Sequence, residues 1–261
     1  HPHDDHCKGF DGNFYHGNPD EYDSTKNENE IIIGELWVTP RGIGNELADS
    51  AETIRQEAKR RRNLYDDNTN FVGSYGNFLR IVGYNKQSTF DERYGYVPGT
   101  LVTTIDGQDM AWLEMFIHAP FKEDVDKSKD EDDKNATSIV VQYRFKVKND
   151  IGEIQTVCKL LMGGDAEHEI NNNTDDENLK WNIFMSPHHC SWTFFNDSEN
   201  KDEVLPSADT IMEKQIGMKS CVIASSKKIL DDDKNPPCYQ ARTEYRKRLK
   251  NKDNFFNTAI D

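Results

Sequence analysis

The sequence predicts a mainly β protein: an antiparallel β-sandwich, jelly-roll or immunoglobulin-like, with long acidic loops and two peripheral helices at about 45–63 and 236–251. Three observations carry this. Short apolar runs alternate with period two, turn residues separate them, and helical periodicity shows at only two places. A barrel satisfies the same pattern.

Residues 1–30 read as a polar arm, ending in the acidic stretch NPDEYDSTKNENE, and 31–261 as one domain with a C-terminal helix. IIIGELWV (31–38) is the first strand, stopped by Pro40. In the next segment Leu47, Ala51, Ile54 and Ala58 recur at helical spacing, with Asn45 as the N-cap. Lys59, Arg60, Arg61 and Arg62 are expected to close that helix, since cations complement its C-terminal dipole and Glu57 precedes Arg61 by four. Asp106-Gly107 signals a two-residue hairpin. After it, Ala111, Leu113, Met115 and Ile117 line one face of a strand and Trp112 and Phe116 the other, as in a strand covered on both sides.

KEDVDKSKDEDDKN (122–135) reads as a solvated loop. It fails the EF-hand template: counted from Asp124, position six is Lys129 instead of Gly and position twelve is Asn135 instead of Glu. Val141, Tyr143, Phe145 and Val147 then alternate with Gln142, Arg144, Lys146 and Lys148. This is a half-buried strand with one wet side, turned at Asn149–Gly152 and returned by Ile154, Thr156, Cys158 and Leu160. Further strands are expected at LKWNIFM, HCSWTFF and SCVIASS. The tail helix carries a stripe of Cys238, Ala241, Tyr245 and Leu249, with Asn235 as cap and Pro236 at its first position.

The formal net charge of −15 opposes binding to nucleic acid or anionic lipid. No apolar run reaches the roughly 20 residues of a membrane span, so no membrane insertion is expected. A chain that opens on His instead of Met predicts a removed leader and secretion. Sequons at Asn135, Asn172 and Asn196 fall in loop-like stretches, where glycosylated asparagines belong. Of five cysteines, Cys158–Cys190 and Cys221–Cys238 are the expected bridges, and Cys7 is left to link a second chain.

Candidate chemistry concentrates in histidines. HPHDDHC opens the chain. Copper binding centred on His3 would displace the amide proton of residue 2, and Pro2 has none. Chelation by the His1 ring and α-amine stays open, with a further histidine from His188, His189 or His118. That arrangement resembles the histidine brace of the lytic polysaccharide monooxygenases, which implies copper at His1 and a secreted β-sandwich. The resemblance rests on His1 and fold class; Pro2 stands where that family commonly has Gly. Within MSPHHCSW, strand alternation would let His188 and Cys190 share a ligand set, with His168 nearby, and would send His189 to the opposite face. Trp192 and Phe194 are either sugar-stacking groups or core.

GxSxG, P-loop, GxGxxG, HExxH and CxxC patterns are all missing from the sequence. The functional expectation is a secreted, non-enzymatic binding or assembly protein, taking a protein or carbohydrate ligand or self-associating through Cys7. A copper protein built on His1 and a virus-encoded β-sandwich structural protein are the alternatives.

Overall fold

The computed structural model describes residues 1–44, 49–67, 73–84, 90–130, 133–167, 177–196, 198, 201 and 203–259. Strand and helix each take 26%, so the strand-rich expectation holds beside an equal share of helix. The chain divides into two compact units, and residues 31–261, read from sequence as one domain, contribute to both.

The first unit holds residues 1–97, 104–110 and 120–137. Its helix α1 (Asp4–Cys7) and strand β1 (Phe14–Tyr15) come from the expected arm; β1 pairs in parallel with β2 (Ile31–Ile32). A parallel sheet follows, β3 (Glu35–Val38), β4 (Phe78–Val82) and β5 (Gly95–Tyr96). Pro40 ends β3 as expected, and it also opens a short helix, α2 (Pro40–Ile43). Helix α3 spans Glu52–Asp66, and its stripe of Ala51, Ile54 and Ala58 faces the core as predicted. The proposed cap Asn45 and Leu47 lie outside the described residues.

The basic run does not close α3, which continues to Asp66. Arg61 is instead buried: Nε donates to Glu57 at 2.7 Å, Nη1 to the Phe78 carbonyl at 2.8 Å and Nη2 to the Ile33 carbonyl at 2.8 Å. Its planar fork satisfies backbone acceptors just before β3 and at the start of β4, which a helix-terminal cation would leave bare. Asp106 (φ 52°) and Gly107 (φ 70°) form the predicted hairpin between β7 (Thr104–Ile105) and β8 (Gln108–Asp109). The charged segment expected as a loop folds as α4 (Lys122–Asp130), where Val125 is buried.

The second unit holds residues 98–103, 111–119 and 138–261. One seven-stranded sheet runs in the order β14 (Phe255–Asn257), β13 (Cys221–Ala224), β12 (Ile183–Met185), β11 (Ile154–Met162), β10 (Val140–Lys148), β9 (Leu113–Ala119), β6 (Leu101–Val102). The hairpin of β10 and β11 is antiparallel as predicted, but β11 to β14 are mutually parallel. That overturns the all-antiparallel expectation. Helices α5 (Pro206–Glu213) and α6 (Tyr239–Arg248) carry the chain back between successive strands, as parallel pairing requires. Both pack on one face, against Leu161, Phe184 and Val222. Cys238, Ala241, Tyr245 and Leu249 are all buried, as the stripe predicts, although α6 starts at Tyr239 with Cys238 as its N-cap.

Across the opposite face, Ile117, Val141, Met162, Met185, Ile223 and Phe256 form one continuous cross-strand row. Val141 is buried as expected, but the rest of the strand departs from the expected wet side. Gln142 is fully buried and donates to the Asn178 and Lys180 carbonyls, and Arg144 donates to Gln142 at 2.7 Å. Phe145 and Val147, expected inside, are exposed. The segment around Asn178–Lys180 supplies acceptors for the polar side chains, which alternation alone does not reveal.

Candidate metal centre

In the second unit three parallel strands end side by side, and ligands of α/β sheets bind outside such carboxyl ends. After β11 comes Gly163-Gly164-Asp165, after β12 Ser186-Pro187-His188-His189, and after β13 Ser225. Gly164 sits at φ 55°, and its carbonyl accepts from the His188 amide at 2.9 Å, tying the first two loops together. The Asp165 amide donates to Ser138 Oγ at 3.2 Å, and the side chain is buried.

The expected strand HCSWTFF is not a strand. Pro187 cannot extend the ladder, and His188 (φ 47°), His189 (φ 54°) and Cys190 (φ 67°) form a left-handed turn, followed by a 3-10 turn at Trp192–Phe194. Each left-handed L-residue costs about 1–2 kcal/mol, and such strain gathers at functional sites. The turn also removes strand alternation. Both rings now reach the same carboxylate: His188 Nε2 lies 4.0 Å from Asp165 Oδ2 and His189 Nε2 lies 3.8 Å from Oδ1. The pairing of His188 with Cys190 is corrected accordingly. Cys190 turns into the core, where burial pushes its thiol pKa well up.

The acceptors around each ring make Nδ1 a donor nitrogen. His189 Nδ1 lies 2.9 Å from the Ser225 carbonyl, which only accepts, so Nδ1 donates. For His188 the assignment runs back along a chain. Asn235 Oδ1 accepts the Trp192 amide at 2.9 Å and the Ser191 hydroxyl at 2.8 Å. Ser191 Oγ then accepts the Thr193 hydroxyl at 3.1 Å, which leaves Thr193 Oγ1 to accept from His188 Nδ1 at 3.3 Å. In their neutral forms both imidazoles therefore turn an Nε2 lone pair toward Asp165. Asn235, expected to cap α6, serves this chain instead.

No family model, curated protein or solved structure matches the chain. Function rests on the residues alone.

The first unit gathers a second set of ligand-type side chains. His1, His3 and Asp5 bring donor atoms within 4.8 Å of one another, and the His1 ring lies 4.8 Å from that of His3 and 4.2 Å from that of His6. Of the residues expected to bind copper, His1 thus belongs to the first unit and His188 to the second. His118, the other candidate third ligand, is fully buried in the second unit, where burial first, then the nearby Arg144 charge, hold its pKa down at about 3. His168 and Asn172 lie outside the described residues.

The expected disulfides are not formed, and all five cysteines are free thiols. The Cys238 amide donates to the Cys190 carbonyl at 2.9 Å, while Cys158 and Cys221 lie on the sheet, where burial first and then the nearby Cys158 raise the Cys221 thiol pKa. Spacing along the chain carries no information on such neighbours. Cys7, expected to link chains, is buried. Asn196 is also buried and donates to the Glu203 carbonyl at 3.1 Å; Asn135 opens a 3-10 turn with its Oδ1 buried. Trp192 and Phe194 are core. Sequence reasoning missed Asp165, whose signal was the Gly-Gly turn in front of it.

Proposed function

We propose that this chain is a divalent transition-metal-binding protein, with Asp165, His188 and His189 as protein ligands. One observation carries the reading: two imidazoles whose Nδ1–H groups are engaged elsewhere present their Nε2 atoms to one buried carboxylate. Metal-ligating histidines are oriented in this way, by a hydrogen bond from the other ring nitrogen. Two lone pairs facing a carboxylate repel it unless a cation or a proton stands between. Ligands about 2.1 Å from a tetrahedral ion are about 3.4 Å apart, so binding requires a contraction of roughly 0.5 Å.

Two nitrogens and a carboxylate suit Zn(II), Fe(II) or Cu(II). Three protein ligands leave a coordination position for water or an exogenous group. The protein contributes a half-buried donor set and, through Ser225 and the Thr193–Ser191–Asn235 chain, its orientation.

Cobalt(II) is the probe. Metal-stripped protein titrated with Co(II) is expected to develop visible d–d absorption that saturates and is displaced by Zn(II), and Asp165→Asn is expected to abolish it. Absence of such absorption, or its persistence in Asp165→Asn, contradicts the assignment.

A further inference from the structure

We infer that a second copy of this chain packs against the open face of the seven-stranded sheet, so that a two-layer sandwich closes between protomers. Among the described residues, helices α5 and α6 cover one face. Parallel strands, however, occur almost only where both faces are covered. On the other face the parallel half is partly exposed among the described residues: along the cross-strand row, Ile117 and Val141 are buried and Met185 and Ile223 half-buried, whereas Met162 is 40% and Phe256 51% exposed. Phe145 and Val147 continue the same face at 40% and 42% exposure. None of these residues joins the helix-covered core.

Three considerations select the occupant. The first is charge. The row from Ile117 to Phe256 contains no ionisable residue, in a chain that is 30% charged and carries −15. A partner must therefore be equally uncharged and flat, and a second copy supplies such a surface. The second is geometry, because two copies related by a two-fold axis place apolar rows at the roughly 10 Å spacing of stacked sheets. The third is size. The five strands β10 to β14 span about 19 Å, and rows about 13 Å long give roughly 250 Å² of plane. That is about a third of the accessible area each partner contributes to a standard interface, before side-chain relief is counted. The exposed hairpin residues Ile151, Ile154 and Val157 extend it.

The test is sedimentation velocity of the full chain from about 1 to about 100 µM. Wild type is expected to shift from monomer to dimer over this range, and Met162→Lys combined with Phe256→Glu to stay monomeric with unchanged far-UV circular dichroism. A second readout needs no variant. Cys158 and Cys221 lie on this sheet, both partly exposed, whereas Cys7, Cys190 and Cys238 are buried. Maleimide labelling of Cys158 and Cys221 is expected to slow several-fold as protein concentration rises. A monomer at every concentration, concentration-independent labelling, or a dimer that survives both substitutions would overturn the inference. So would a monomeric wild type that binds only a different protein through this face.

Discussion

The histidines of the first unit are gathered by sequence, and those of the second by topology. His1, His3, Asp5 and His6 lie within six residues, around the four-residue helix α1, and side-chain crowding follows from that closeness. Asp165, His188 and His189 meet because two parallel strands end side by side, and each ring is then aimed by a hydrogen bond to an acceptor from elsewhere in the fold. A high local density of ligand residues is visible in any sequence. Orientation is not, and it separates a site that is ready for an ion from one that must be ordered by it.

The largest effect that could break this comparison is at Asp165. Asp165→Asn is expected to weaken Zn(II) binding at least about 100-fold by isothermal titration, since it removes the only charged ligand. Next is Thr193→Val, which touches no metal but frees the His188 ring; a loss of about 10- to 100-fold is the usual consequence of such a change. If Thr193→Val leaves affinity unchanged, the hydrogen-bond chain has no orienting role. His3→Ala in the first cluster is expected to cost less than about tenfold in the same titration. A loss as large as that of Asp165→Asn would erase the distinction.

Stability sharpens the same contrast. His118 is held neutral by burial, with its pKa lowered to about 3, so the unfolded chain binds its proton first as pH falls. Stability is therefore full above about pH 6.5 and declines by about 1.4 kcal/mol per unit between there and pH 3. Urea denaturation against pH should flatten in His118→Phe, and an unchanged slope would assign acid sensitivity to other groups. The smallest effect is at the left-handed turn. His189→Gly is expected to exceed His189→Ala in stability by about 1 kcal/mol, because only glycine adopts φ 54° without strain. Equal stabilities would mean that the turn stores nothing.

Much of the fold was legible where local chemistry decides it. The Asp106-Gly107 hairpin, the β10–β11 pair, the stripe of α3 and the buried face of α6 all follow from turn preference and periodicity. Helix α5 was legible and went unread: Pro206 stands at its first position, and Ala208, Ile211 and Met212 carry the spacing. Reading it would have argued for parallel crossovers against an all-antiparallel sandwich. The left-handed turn was not legible, since His-His-Cys carries none of the glycines that announce positive φ. Nor was the burial of Gln142, which depends on carbonyls supplied from about 36 residues further along the chain.

Long-range ¹H–¹⁵N NMR of the imidazole rings in the metal-free protein tests the central claim most directly. Both His188 and His189 are expected as the Nδ1–H tautomer, with Nε2 unprotonated and shifting on addition of one equivalent of Zn(II). Protonated Nε2 atoms in either ring at neutral pH, unmoved by zinc, would contradict it.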